Sequence, residues 1–166
     1  MLFNSSEFIL FFVPIALLAF YWCRYFISSR AACMALITFS FFFYGYWNFK
    51  FLALLVFTIL INFWLGKVIS QNGKTRTGRR LMWVGVSLNL CLLGYFKYLN
   101  FFVWNIEQLT GANFSFEPIL LPLAISFFTF QQISYLVDNY FQKVVDHDFG
   151  SYALYVVFFP QLIAGQ

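Results

Sequence analysis

Long apolar runs, most of them near a membrane's thickness in helical residues and the last one short for a crossing, alternate along the chain with short polar intervals. The runs cover residues 8–23, 31–46, 51–66, 81–104, 121–140 and 152–165. None alternates apolar and polar residues with the period of two that a barrel strand requires, so helices are predicted. The second and third runs are separated only by the WNFK stretch, which predicts a tight helical hairpin with Tyr46 and Trp47 at a membrane interface. Pro118 and Pro122 each lack a backbone donor and are expected to delay or kink the start of the fifth helix. The fifth run, LPLAISFFTFQQISYLVDNY, differs from the others in its polar content. Gln131, Ser134, Tyr135 and Asp138 fall at i, i+3, i+4 and i+7, which is one helical face, with Phe130, Ile133, Leu136 and Val137 expected opposite. Such a face calls for helical partners or a wet cavity between them.

Composition settles the class. Hydrophobic residues are 62% of the chain, charged residues 10%, and 26 are phenylalanine, more apolar surface than a soluble domain of 166 residues can bury. The expectation is an all-α, polytopic transmembrane bundle of about six segments in a lipid bilayer, without a second soluble domain. The first run is not a signal peptide, because its basic residues, Arg24 and Arg30, follow the apolar core.

The net charge of +4 raises the question of nucleic acid, but the basic residues sit between the apolar runs. Residues 67–80, KVISQNGKTRTGRR, hold five cations and no acid. They are expected to form a cytoplasmic loop, and no nucleic-acid partner is implied. Arg24, Arg30 and Lys143 fall on the same side, which puts the N-terminus outside. Lys50 is then an external exception, and Lys97 lies at or near membrane depth on the external half. Lys97 is a candidate buried charge, able to pair with an acid or an anionic group, or to snorkel to the interface.

Chemistry is sparse. Ser87, Cys91, Gly94 and Tyr98 mark a small-residue face on the fourth run, suited to close helix contact. Cys23, Cys33 and Cys91 show no ligand spacing and are expected to be packing residues. Asp146-His147-Asp148 has the residue types of a metal or acid/base site, but adjacent loop residues rarely converge on one metal. A polar loop is the plainer reading, and no catalytic or metal-binding residue is assigned. No nucleotide, zinc-protease or serine-hydrolase motif is present.

The fifth run resembles the LPxGISFxxFxxISYxxDxY signature of the membrane-bound O-acyltransferases (MBOAT), in the branch that includes alginate O-acetyltransferase and the D-alanyl-lipoteichoic-acid protein. FFVPIALLAFYW, FFFYGYWNFKFLALL, LCLLGYFKYLNFF and FFPQLIAG agree in order, so the likeness covers essentially the whole chain. Ala124 stands where that branch has glycine, a change expected to restrict the backbone only slightly, and Gln166 stands where proline is expected. The resemblance implies that residues 1–166 are an N-terminal portion of the domain, without the later helices that carry the essential histidine; His147 matches that histidine in neither context nor order. It implies an O-acetyltransferase of the bacterial inner membrane. The acyl would move from a cytoplasmic donor, acetyl-CoA or an acyl-carrier thioester, to a hydroxyl of an extracytoplasmic polysaccharide such as alginate. No bound cofactor is implied, extracytoplasmic acetylation proteins are expected as partners, and the chain alone is expected to be inactive. Gln131, Ser134, Tyr135 and Asp138 then line a pocket or bond between helices. A non-catalytic membrane subunit that binds a partner chain, or a small transporter using Lys97 and Asp138, remains as an alternative.

Overall fold

The computed structural model describes residues 11–110, 121–122, 124–144 and 147–158, and over them the chain is all-helical. Six helices follow in order: α1 (Val13–Phe26), α2 (Ser29–Trp47), α3 (Phe49–Asn72), α4 (Arg76–Thr110), α5 (Ile125–Tyr140) and α6 (Phe149–Val157). Two of them, α3 and the bulk of α4, are long and apolar enough to cross a membrane, and α1 is a shorter apolar helix.

Local chemistry sets the helix ends. The Ser28 hydroxyl accepts from Ala31 N at 3.1 Å and opens α2. Asn48 closes α2 and opens α3 by itself, its Oδ1 accepting from Lys50 N at 2.9 Å, so the hairpin is tighter than a four-residue WNFK turn. Gly73, at φ 54°, ends α3. Helix claims more of the basic interval than expected: 67–72 belong to α3 and 76–80 to α4, leaving only residues 73–75 as a turn. Lysine, arginine and glutamine are good helix formers, so polarity alone did not mark a loop there. Likewise α4 runs through Thr110 rather than stopping at Trp104, where the fourth apolar run ends. At 1.5 Å per residue α4 is about 50 Å long, well beyond the hydrocarbon thickness of a bilayer. Pro118 and Pro160 lie outside the described residues.

The bundle is built around α3, which packs against α2, α4, α5 and α6, whereas α1 leans on α2. Leu55, Thr58, Ile59, Asn62, Leu65, Gly66 and Ile69 form its buried seam, at the three-and-four spacing of a packed helix. Against it lie Ile125, Phe128 and Leu136 of α5 and Val156 and Val157 of α6, all at most 1% exposed. Leu136, expected on the outer face, is therefore core, while Phe130 is 59% exposed. The outer surface is apolar as well, with Trp22, Phe57, Trp64, Trp83 and Phe101 all more than half exposed.

Glycines set how closely the helices approach. A Cβ on Gly66 of α3 would stand 2.3 Å from the Tyr135 ring of α5, and one on Gly85 of α4 would stand 2.6 Å from Leu136 Cδ1. These small residues bring α3 and α4 onto α5. The face expected to do this on α4 does not. Ser87, Cys91 and Tyr98 are exposed, and a Cβ on Gly94 would meet nothing within 4 Å. The packed face of α4 is instead Met82, Gly85, Val86, Asn89 and Leu93. Cys91 is exposed and so is not a packing residue within this bundle, while Cys23 and Cys33 are half-buried. Gly66→Ala is expected to lower stability by about 1–3 kcal/mol through overpacking. Gly94→Ala should be neutral or slightly stabilising, since alanine is the better helix former. Thermal unfolding of both variants in one detergent checks the contrast.

Candidate functional site

Where α3, α4 and α5 meet, the apolar core is interrupted by four polar side chains, Thr58, Asn62, Asn89 and Gln132, each at most 7% exposed. Asn62 and Asn89 bond to each other, the Asn89 amide donating to Asn62 Oδ1 at 2.7 Å and the Asn62 amide reaching Asn89 Oδ1 at 3.3 Å. The Asn62 amide also donates to Gln132 Oε1 and to the Thr58 carbonyl, both at 2.9 Å. Gln132 Nε2 donates to the Thr58 hydroxyl at 3.1 Å, which in turn donates to the Leu55 carbonyl at 2.9 Å. Asn89 Nδ2 closes onto the Gly85 carbonyl at 2.8 Å. A buried amide left unbonded costs on the order of 1–3 kcal/mol, so three helices are held in one register by groups that need each other.

Beside this network, between α3 and α4, lies a cavity of about 170 Å³. Thr58, Asn62 and Asn89 contribute polar atoms to a wall otherwise made by residues such as Leu54, Phe57, Leu88 and Leu92. Amides and a hydroxyl can bond and orient a group placed there, but they cannot take up a proton near neutral pH. Among the described residues no acid, histidine or basic side chain is buried in the core.

The expected polar stripe divides. Gln131 is buried and crosses to α6, its Nε2 donating to the Tyr155 carbonyl at 2.9 Å. Tyr135 is buried with its ring 4.0 Å, centroid to centroid, from Tyr152 of α6. Ser134 faces outward, its hydroxyl 3.5 Å from Asp138 Oδ2 on the same helix, and Asp138 Oδ1 stands 3.6 Å from Lys143 Nζ. The buried polar face is thus centred one residue away from the predicted one, on Gln132 with Thr129 and Asn139. Lys97 is exposed rather than buried, its Nζ donating to Ser126 Oγ at 3.2 Å, near the start of α5.

Asp146 lies outside the described residues. His147 Nε2 is 3.0 Å from Ser70 Oγ, which fastens the α5–α6 connection to α3. Asp148 caps α6, its Oδ2 accepting from Ser151 N at 2.7 Å and from Ser151 Oγ at 2.9 Å. These bonds, the backbone one foremost, hold its carboxyl below the usual range. The capping contribution is therefore fully present above the unfolded-state pKa and is lost as pH falls through the lower folded value. Among the described residues no three His, Cys, Asp or Glu side chains are grouped so as to hold a metal ion.

Ala124, the residue before α5, has φ 52°, in the left-handed region that glycine occupies without penalty. The alanine therefore strains the backbone more than residue type suggested, by about 1–2 kcal/mol. Ala124→Gly is expected to raise stability by roughly 1 kcal/mol. Gln132→Leu and Asn89→Leu should each destabilise by about 1–3 kcal/mol, because each strands a buried amide, whereas Phe130→Leu should be nearly neutral. Unfolding midpoints in a single detergent measure all four.

No family model matches the chain, and no solved structure matches it. Curated proteins do. A Helicobacter pylori protein named peptidoglycan O-acetyltransferase is 35% identical over a match that takes in 99% of this chain and 36% of that protein. Two proteins named probable alginate O-acetylase AlgI match 99% of this chain: one from Pseudomonas aeruginosa, 37% identical over 32% of its length, and one from Azotobacter vinelandii, 36% identical over 34% of its length. The likeness read from the motifs, to O-acetyltransferases of the membrane-bound type, is thus shown along nearly the whole chain. The chain spans about a third of the length of these relatives.

Proposed function

We propose that this chain, homologous to one part of the membrane-bound O-acetyltransferases, forms the helical wall of an enzyme that acetylates hydroxyls of an extracytoplasmic polysaccharide such as alginate. The observation that carries the proposal is the likeness to named O-acetyltransferases across 99% of the chain. The buried amide network, an expensive feature in an apolar bundle, supports a structure that must hold a defined shape. In the proposed reaction the acceptor hydroxyl oxygen attacks the acyl carbon of a thioester donor, acetyl-CoA or an acyl-carrier thioester. The carbon–sulfur bond breaks, the thiol leaves, and the hydroxyl proton passes to a base. That base is outside the described core, which offers only amides and hydroxyls near the network.

The surrounding architecture in this proposal is a bundle of about six membrane segments in the bacterial inner membrane. The N-terminus is outside, and the end bearing Lys67, Lys74, Arg76, Arg79 and Arg80 is cytoplasmic. Residues 1–166 then supply one portion of an acyltransferase domain. Gln131 and Tyr135 brace α5 against α6, Asp138 and Lys143 pair at its end, and extracytoplasmic acetylation proteins receive or present the polysaccharide. The transporter reading gains no support from Lys97 and Asp138: Lys97 bonds at Ser126 of α5, and Asp138 lies twelve residues further along α5, about 18 Å away. A second reading is a subunit that scaffolds a separate catalytic chain. Co-purification of such a chain identifies it.

A chimera in which these residues replace the matching third of the Pseudomonas aeruginosa relative tests the proposal. It is expected to retain O-acetylation of alginate, while membranes containing only the 166 residues show none. A chimera that folds and inserts but transfers no acetyl contradicts the enzyme reading, and turnover by the short chain contradicts the placement of the base outside it.

A further inference from the structure

We propose that the end of the bundle formed by the α3–α4 turn and the C-terminus of α5 docks onto anionic phospholipid headgroups, with Phe141 as its apolar wedge. The inference rests on the reading of the chain as a membrane protein. Lys74, Arg76, Arg79 and Arg80 are all exposed and lie within seven residues that include no acid. Three of them occupy the start of α4, whose first turn has no acidic residue, so they add to the positive end of the helix dipole with no acid in that turn to offset it.

At its centre the surface is apolar, and its far edge carries Lys143, paired with Asp138. Phe141 ends α5 48% exposed, with Lys74 Nζ 5.7 Å and Lys143 Nζ 6.0 Å from its ring centroid. An exposed ring between two ammonium groups matches a membrane boundary, where the ring enters the acyl region and the cations meet phosphates. Two of the charges are already engaged, Lys143 with Asp138 at 3.6 Å and Arg79, whose Nε donates to the Tyr140 hydroxyl at 3.3 Å. That anchoring holds the α3–α4 turn against α5 and leaves Lys74, Arg76 and Arg80 to face the headgroups. A guanidinium bonds two phosphate oxygens at once, and a headgroup with its own ammonium cancels the attraction, so the surface selects net-negative lipids.

The test uses the 166-residue chain in mild detergent with equimolar phosphatidylglycerol and phosphatidylcholine, bound lipid being read by native mass spectrometry. Phosphatidylglycerol is expected to be retained about tenfold over phosphatidylcholine, falling toward parity in K74Q/R76Q/R80Q and unchanged in K97Q. Phe141→Ala should weaken retention of both lipids and leave their ratio in place. Parity in the unaltered chain, or a full preference in the triple variant, overturns the proposal. Should the triple variant not fold, the unaltered chain decides: its melting temperature rises with short-chain phosphatidylglycerol and not with phosphatidylcholine, and equal shifts overturn the proposal. Saturable binding of adenosine 3′,5′-bisphosphate without a lipid preference assigns the patch to a soluble phosphate and equally overturns it. Release of the chain from membranes at alkaline pH overturns the membrane reading itself. A chain that stays in the membrane without headgroup preference overturns only this inference.

Discussion

The buried hydrogen bonds among Thr58, Asn62, Asn89 and Gln132 do what the hydrophobic effect cannot do in this bundle. The outer surface carries many large apolar side chains, Trp64 64% and Phe57 60% exposed among them, so burying more leucine or phenylalanine does little to distinguish one helix arrangement from another. In lipid, apolar side chains are equally at home on either face, and helix pairing rests on close packing and on polar groups that must find partners. Asn62 ties α3 to both α4 and α5, and Gly66 and Gly85 let the backbones come near enough for the bonds to form. The remainder of the fold follows from that contact. Helix α2 packs beside α3 across the single-residue Asn48 turn, α6 fills the groove between α2 and α5, and α1 covers α2.

The six-helix, all-α layout was legible in the alternation of apolar runs and polar breaks, and the hairpin at Asn48 and the late start of α5 were legible in local chemistry. What misled was polarity taken as a sign of loop. Lysine, arginine and glutamine continue a helix readily, so α3 and α4 absorbed most of the basic interval, and α4 ran on through Thr110. Small residues misled in the same way. Ser87, Cys91 and Gly94 have the spacing of a contact face, but the face that carries Gly85 and Asn89 also carries a polar group needing a partner, and that requirement decided the rotation of α4.

On α5, the most deeply buried polar side chains are Gln132, Thr129 and Asn139, beside the stripe that periodicity picks out. The stripe through Gln131, Ser134 and Asp138 satisfies helical periodicity, yet Ser134 and Asp138 lie near the exposed side, where they bond within their own stretch. Gln132 turns inward because Asn62 waits there, a partner seventy residues earlier that no local pattern on α5 reveals. Asn62 and Asn89 were nonetheless visible as polar residues inside otherwise apolar runs, the ordinary sign of a buried partner in a membrane helix. The strain at Ala124 was invisible for a different reason: it depends on a φ of 52°, which residue type does not disclose.

A double-mutant cycle on Asn62 and Gln132, with leucine at one position, at the other and at both, tests most directly whether this network holds the bundle together. If the amides bond as described, the two losses overlap, and the double variant is more stable than the sum of the single effects by about 1 kcal/mol or more. Additive losses within about 0.3 kcal/mol would show that the two side chains do not interact, and would contradict the account.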